Sequence, residues 1–176
     1  GFAFEDKLFY AASILSTILG GGMSSRLFQE IRESRGLVYS IYSFLSCFDD
    51  CGLFGVYAGT GSREADGLLS LVVDEIKKIQ TDMSDHELMR ARAQLKSSIL
   101  MSLESTSARC ERLARHHMLF GRNISTEEIV ERINDVDLQA ISDAAEHLIS
   151  GIPTVAALGP VNQLCDHDTL SSRLAR

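Results

Sequence analysis

The sequence has no tryptophan and only two prolines, Pro153 and Pro160. Everything before Pro153 is therefore free of the residue that breaks helices by removing a backbone donor. Cysteine is sparse too: Cys47, Cys51, Cys110 and Cys165 form no CxxC pair and show no spacing typical of a structural zinc site. They are expected as free thiols, although Cys47 and Cys51 flank a hairpin turn where a cross-strand bridge is geometrically conceivable. A chain of 176 residues buries enough surface to form a core without such a staple. Positive charge is in deficit, with 17 Lys and Arg against 24 Asp and Glu and a net charge of -7. Readers of nucleic acid need clustered excess cations, so nucleic acid is excluded as a partner. No run approaches the roughly 18 apolar residues that a bilayer demands, which excludes a membrane-spanning helix. Gly1 is not a natural initiator, so the chain is expected to be a piece of a longer protein, with any targeting signal upstream.

What the sequence does contain is organised around Gly20 to Tyr39, GGGMSSRLFQEIRESRGLVY. Gly20, Gly21 and Gly22 break a preceding helix, and Ser24 or Ser25 suits the N-cap of a new one. Leu27, Phe28 and Ile31 then gather on one face, and Gly36 ends the helix. Arg32 and Arg35 occupy its last turn, where the helix dipole favours cations, and Tyr39 stands at the mouth of the next strand.

On either side the pattern is regular. Gly1 to Phe4 reads as the tail of a strand, followed by a helix with Leu8, Ala11, Ala12, Leu15, Ile18 and Leu19 on its apolar face. Val38 to Phe48 and Leu53 to Thr60 read as a hairpin turning at Asp49, Asp50 and Gly52. Strict alternation would put Tyr39, Ile41, Ser43 and Leu45 on one face and Tyr42 and Phe44 on the other. A helix from about Arg63 to Gln80 comes next, then a long helix opened by a Ser84/Glu87 capping box, a bend at Ser102 to Ser107, and a helix ending at Gly121. Ser125 with Glu128 opens a short helix, Asp135 or Asp137 caps another, and Thr154 to Leu158 reads as a final strand before Gly159-Pro160. The expected fold class is α+β, a mainly antiparallel sheet with helices packed on one face in βαββαβ order with enlarged helical crossings. Residues 1–162 form the domain and residues 163–176 a tail.

LGGGMSSRLFQEIRESRGLVYS resembles the second, non-zinc half of the pitrilysin and mitochondrial processing peptidase family, whose zinc half carries an inverted HxxEH motif. SDHELMRARAQLK, SLESTSARCERLARHHMLFGR and TVAALGPV extend the likeness across roughly residues 1–162. The resemblance implies the C-terminal domain of a zinc metalloendopeptidase that cleaves peptides or presequences, inactive when isolated. Its partners would be the N-terminal zinc-bearing half of the same protein, a peptide substrate, and a second copy or related subunit. The family's paired Arg and Tyr fall on Arg32 and Tyr39. Tyr39 would donate to the scissile carbonyl as it becomes an oxyanion, Arg32 would anchor a substrate carbonyl, and Gly20, Gly21 and Gly22 would form an adaptable loop at the cleft edge. The implied compartment is the bacterial cytoplasm, or alternatively the mitochondrial matrix.

The residues themselves limit the chemistry. Zinc-dependent peptide hydrolysis needs a metal-bound water, a general base and oxyanion donors. His86-Glu87 continues as Leu-Met-Arg, so neither HxxEH nor HExxH is present there, and His116-His117 has no Glu at the required spacing. Zinc belongs to the full-length protein, with its ligands outside this chain. A glycine triplet that leaves a helix and lacks a following GKS or GKT is not a phosphate loop. Cys110 and His117 share one helix but supply too few ligands for a metal. Two readings of function stand: the substrate-clamping half of a peptidase, and a non-catalytic scaffold subunit that kept the fold.

Overall fold

A computed structural model describes residues 1–61, 64–161 and 164–175, except the side chains of Asp66 and Ala175. At its centre lies α1 (Phe9–Gly20), whose Ala11, Ala12, Ile14, Leu15, Ile18 and Leu19 are all buried. The helix is apolar on nearly all sides, as a helix enclosed by other elements must be. It packs on β1 (Val38–Cys47) and on three helices: α3 (Asp85–Ser102), α5 (Thr126–Asp135) and α6 (Leu138–Ile149). Between them lie α2 (Ala65–Asp82), which touches α6, and α4 (Thr106–Phe120), which has no buried residue.

Local chemistry sets the boundaries. Ser84 and Glu87 form the reciprocal capping box at α3, and Ser105, Ser125 and Asp137 each accept a backbone N–H at the starts of α4, α5 and α6. Gly121, with φ +64°, closes α4 in the left-handed conformation. β1 and β2 (Gly52–Thr60) pair antiparallel, and one face of this hairpin rests on α1. The α+β class, with helices on one face of an antiparallel sheet, is thus present.

The outer strands differ from expectation. Gly1 to Phe4 contributes one backbone bond to the hairpin, Phe4 N–H to the Phe48 carbonyl at 3.0 Å, and then curls as Asp6 N–H bonds back to Ala3. Thr154 to Leu158 is irregular and largely exposed. It lies beside β2, across a pocket lined by Val56 to Thr60, without pairing with it. Beyond it, His167–Ala175 forms α7, whose Leu170 and Leu174 pack with Val73 of α2 in a small second core. Arg173 of α7 grips Asp74 of α2 through two nitrogens, at 2.7 and 3.1 Å. The helix start at Arg63 and the domain limit at Asn162 fall outside the described residues. All four cysteines are free, and Cys47 pairs in register with Gly52 rather than Cys51.

Candidate functional site

The glycine break is a set of three different positions. Gly20 is the buried last residue of α1 and lies so close to β1 that an added Cβ would meet Ser43 N at 2.2 Å. Gly20 is therefore a packing residue, and any loop surface belongs to Gly21 and Gly22. Gly22 has φ +148°, which favours glycine. The carbonyls of this loop are held by side chains: Gln94 of α3 donates to Gly21 O, Gln29 to Met23 O at 2.6 Å, and Arg90 of α3 to Ser24 O at 2.8 Å. Ser25 donates its hydroxyl back to Gly22 O at 2.6 Å instead of capping the next helix through its oxygen. The sequence leads one to expect an adaptable loop here; the structure shows one tied to α3.

A partly buried ion cluster anchors the chain as it leaves this loop. Arg26, 11% exposed, meets Glu87 through Nε–Oε1 at 2.7 Å and Nη2–Oε2 at 2.9 Å, while its Nη1 reaches Asp82. Glu87 also accepts the Ser84 N–H and hydroxyl. The Arg26 bonds, helped by those from Ser84, hold the Glu87 carboxyl down at about 2. An unfolded glutamate titrates near 4.3, so the contribution of Glu87 is complete above about pH 5 and is lost as pH falls toward 2. Glu87→Gln is expected to cost about 2 kcal/mol at neutral pH, allowing for solvent screening. Urea melts should show the gap between variant and wild type narrowing by more than half from pH 6 to pH 2.5; a constant gap would contradict this.

Downstream of Arg26 the chain forms a π-helix, Phe28–Ser34, rather than a regular α-helix. Such turns are rare and recur at functional sites. Leu27 and Ile31 are fully buried, Gly36 ends the helix at φ +63°, and Leu37 N–H returns to Ile31 O. Of the two cations in the last turn, Arg35 is paired with Glu30 at 2.7 Å. Arg32 is exposed, lies over the Phe28 ring at 4.7 Å, and among the described residues has no carboxylate in salt-bridge contact. Its guanidinium is steadied by a ring face and keeps its donors free.

Tyr39 occupies a β-bulge. Val38 pairs with Thr60 and Ser40 with Gly59, so Tyr39 is the extra residue in β1. A bulge re-aims a side chain. Val38 and Ile41 are both buried although three residues apart, and Tyr39 is left 81% exposed. The alternation expected from sequence therefore fails at this residue: Tyr39 lies on the outward face with Tyr42 and Phe44, not beside Ile41. On that face Tyr42 stacks on its cross-strand partner Tyr57 at 5.1 Å, and the Phe44 ring lies over Gly55. The only charges from Val38 to Thr60 are Asp49 and Asp50 in the turn, so the outer face is aromatic and uncharged.

The structure thus brings Arg32 and Tyr39 to the two sides of the Gly36 turn as exposed donors, with the glycine loop held by α3 on the other side of the π-helix. Sequence reasoning does not single out Phe28 beneath Arg32, for which the i, i+4 spacing is a usable signal, nor the Tyr42–Tyr57 stack, which depends on register. Among the described residues no group of three or more His, Cys, Asp or Glu side chains is placed to hold a metal ion. The described residues therefore do not fit a zinc site.

The sequence profile of the Peptidase M16 inactive domain matches residues 3–95, more than half of the chain. An uncharacterized zinc protease of Streptomyces coelicolor is 38% identical over 175 residues, which is 99% of this chain and 37% of that protein. The chain thus spans little more than a third of that relative. A conserved protein of Enterococcus faecalis superposes with a TM-score of 0.73 at 25% identity over 82% of this chain and 34% of its own. A chain of Complex III2 from Candida albicans shares the fold, with a TM-score of 0.85 at 20% identity, covering 99% of this chain and 44% of that one. A family profile that covers more than half of the chain shows that it belongs to the Peptidase M16 family, matching that family's inactive domain.

Proposed function

We propose that this chain is the substrate-clamping, zinc-free C-terminal half of a bacterial cytoplasmic zinc metalloendopeptidase that cleaves peptides. The observation that carries the reading is the bulge at Tyr39, which turns a phenol with no hydrogen-bond partner among the described residues outward. A group left free in that way is available to something outside the domain. Tyr39 donates its O–H to the scissile carbonyl oxygen as negative charge develops there, and Arg32 donates to a neighbouring backbone carbonyl of the substrate. Gly21 and Gly22 border the cleft. The zinc, its ligands and the general base belong to the N-terminal half, the principal partner, and a second copy or related subunit completes the assembly.

Mixing the chain with a separately produced N-terminal half tests this. Neither piece alone is expected to cleave a fluorogenic peptide, whereas the mixture should, and a chelator should abolish the activity. A mixture that binds zinc and associates but cleaves nothing would favour the scaffold reading instead.

A further inference from the structure

We propose that a cavity beneath α4 binds small carboxylates with an apolar body. It lies apart from the Arg32 and Tyr39 site. The Phe4–Phe48 bond ties its rim to the turn end of the hairpin, and Tyr39 stands at the other end of β1.

The cavity exists because α4 stands off the core. No α4 residue is buried, and between this helix and α1, α3 and α5 a partly open pocket of about 370 Å³ remains. That is the lower end of the range for small-molecule sites. Its apolar wall includes Phe9, Ile99, Ile124 and Ile129, while Arg112, Arg115 and Arg132 line the same space. Such a concentration of cations is unusual in a chain with a net charge of -7.

The three arginines are not equivalent. Arg132 is paired with Glu128 at 2.6 Å, a carboxylate it shares with Arg122. Arg115 extends toward the Phe4 ring at 5.8 Å. Arg112 reaches only the Thr126 hydroxyl, with both Nη atoms at 3.4 Å, and its Nε is buried with no partner. Among the described residues, neither Arg112 nor Arg115 has a carboxylate in salt-bridge contact, although Glu111 also lines the cavity. Arg112 thus lines the cavity with no counter-ion among the described residues; leaving a charged donor unmet costs free energy, and guanidinium Nη groups are suited to a carboxylate. The hydrocarbon wall fits the remainder of such a ligand. A dianion would meet a larger desolvation cost in this setting, and a cation would be repelled.

Naphthalene-1-carboxylate is a suitable probe, set against neutral naphthalene-1-methanol and cationic 1-naphthylmethylammonium in calorimetric titrations of the protein. The acid is expected to bind one to one and at least tenfold more tightly than the alcohol, with no binding of the cation. Arg112→Met keeps the apolar stem and should bring the acid down to the alcohol's affinity, while Arg112→Lys should retain part of the difference. If the Met variant does not fold, methyl NMR of the unmodified protein decides: the acid should shift Ile99, Ile124 and Ile129 and leave the exposed Ile152 unmoved. Equal binding of acid and alcohol, an unaffected Met variant, or shifts confined to other residues would overturn the proposal.

Discussion

With the zinc-bearing half restored, Tyr39→Phe is expected to lower kcat by about 10²- to 10³-fold, roughly 3 to 4 kcal/mol, with little change in KM. The reason is differential binding. A phenol that meets the carbonyl oxygen only once negative charge gathers there contributes to the transition state and not to the ground state. Phenylalanine keeps the ring, and at 81% exposure the ring carries little packing, so the melting temperature should stay close to that of wild type. Arg32→Ala should behave differently, raising KM as well as lowering kcat, because a cation that grips a substrate carbonyl acts in both states. Its stability cost should be small too, since Arg32 gives up only the contact with Phe28.

Gly20→Ala is expected to lower the stability of the domain by forcing α1 away from β1. The new Cβ would lie 2.2 Å from Ser43 N and 2.9 Å from the Tyr42 carbonyl carbon, and these are backbone atoms that no rotamer change can move. Relief requires α1 to withdraw from β1, which would also stretch the bond from Ser43 Oγ to Ser16 O at 2.6 Å. Overpacking of this kind costs about 1–3 kcal/mol, a melting-temperature loss on the order of 2–12 °C for a domain of this size. Thermal denaturation beside Gly151→Ala, where an added Cβ meets nothing, provides the control. An unchanged melting temperature for Gly20→Ala would mean that α1 and β1 are not in close contact.

Much of this architecture is legible in the sequence, and the exceptions have physical causes. The helix starts at Ser84, Ser125 and Asp137 arise from side chains that satisfy orphan backbone donors, a local matter that local sequence records. The hairpin arises from its β-branched and aromatic runs around a turn of Asp and Gly. Tyr39's direction is not recorded in the same way, because a bulge depends on which residue of β2 faces which residue of β1. Alternation alone puts it on the wrong face. The role of Gly20 is equally hidden: a glycine that ends a helix and one that lets a strand approach look identical in a string of letters. The strand expected at Thr154 to Leu158 shows the reverse error: its apolar residues lie across a pocket from Val56 to Thr60 of β2 without joining the ladder. Arg32 and Tyr39 stand out only through the family resemblance; without it, an arginine in a last helical turn and a tyrosine opening a strand would pass as structural residues.

Affinity for a tetrahedral mimic reads the role of Tyr39 most directly. In the restored full-length protein, a phosphinic peptide whose oxygens imitate the oxyanion should bind about 10²-fold more weakly to Tyr39→Phe than to wild type, while the parent peptide binds both equally. If both proteins bind the phosphinic peptide with the same affinity, Tyr39 is a surface aromatic and takes no part in the chemistry.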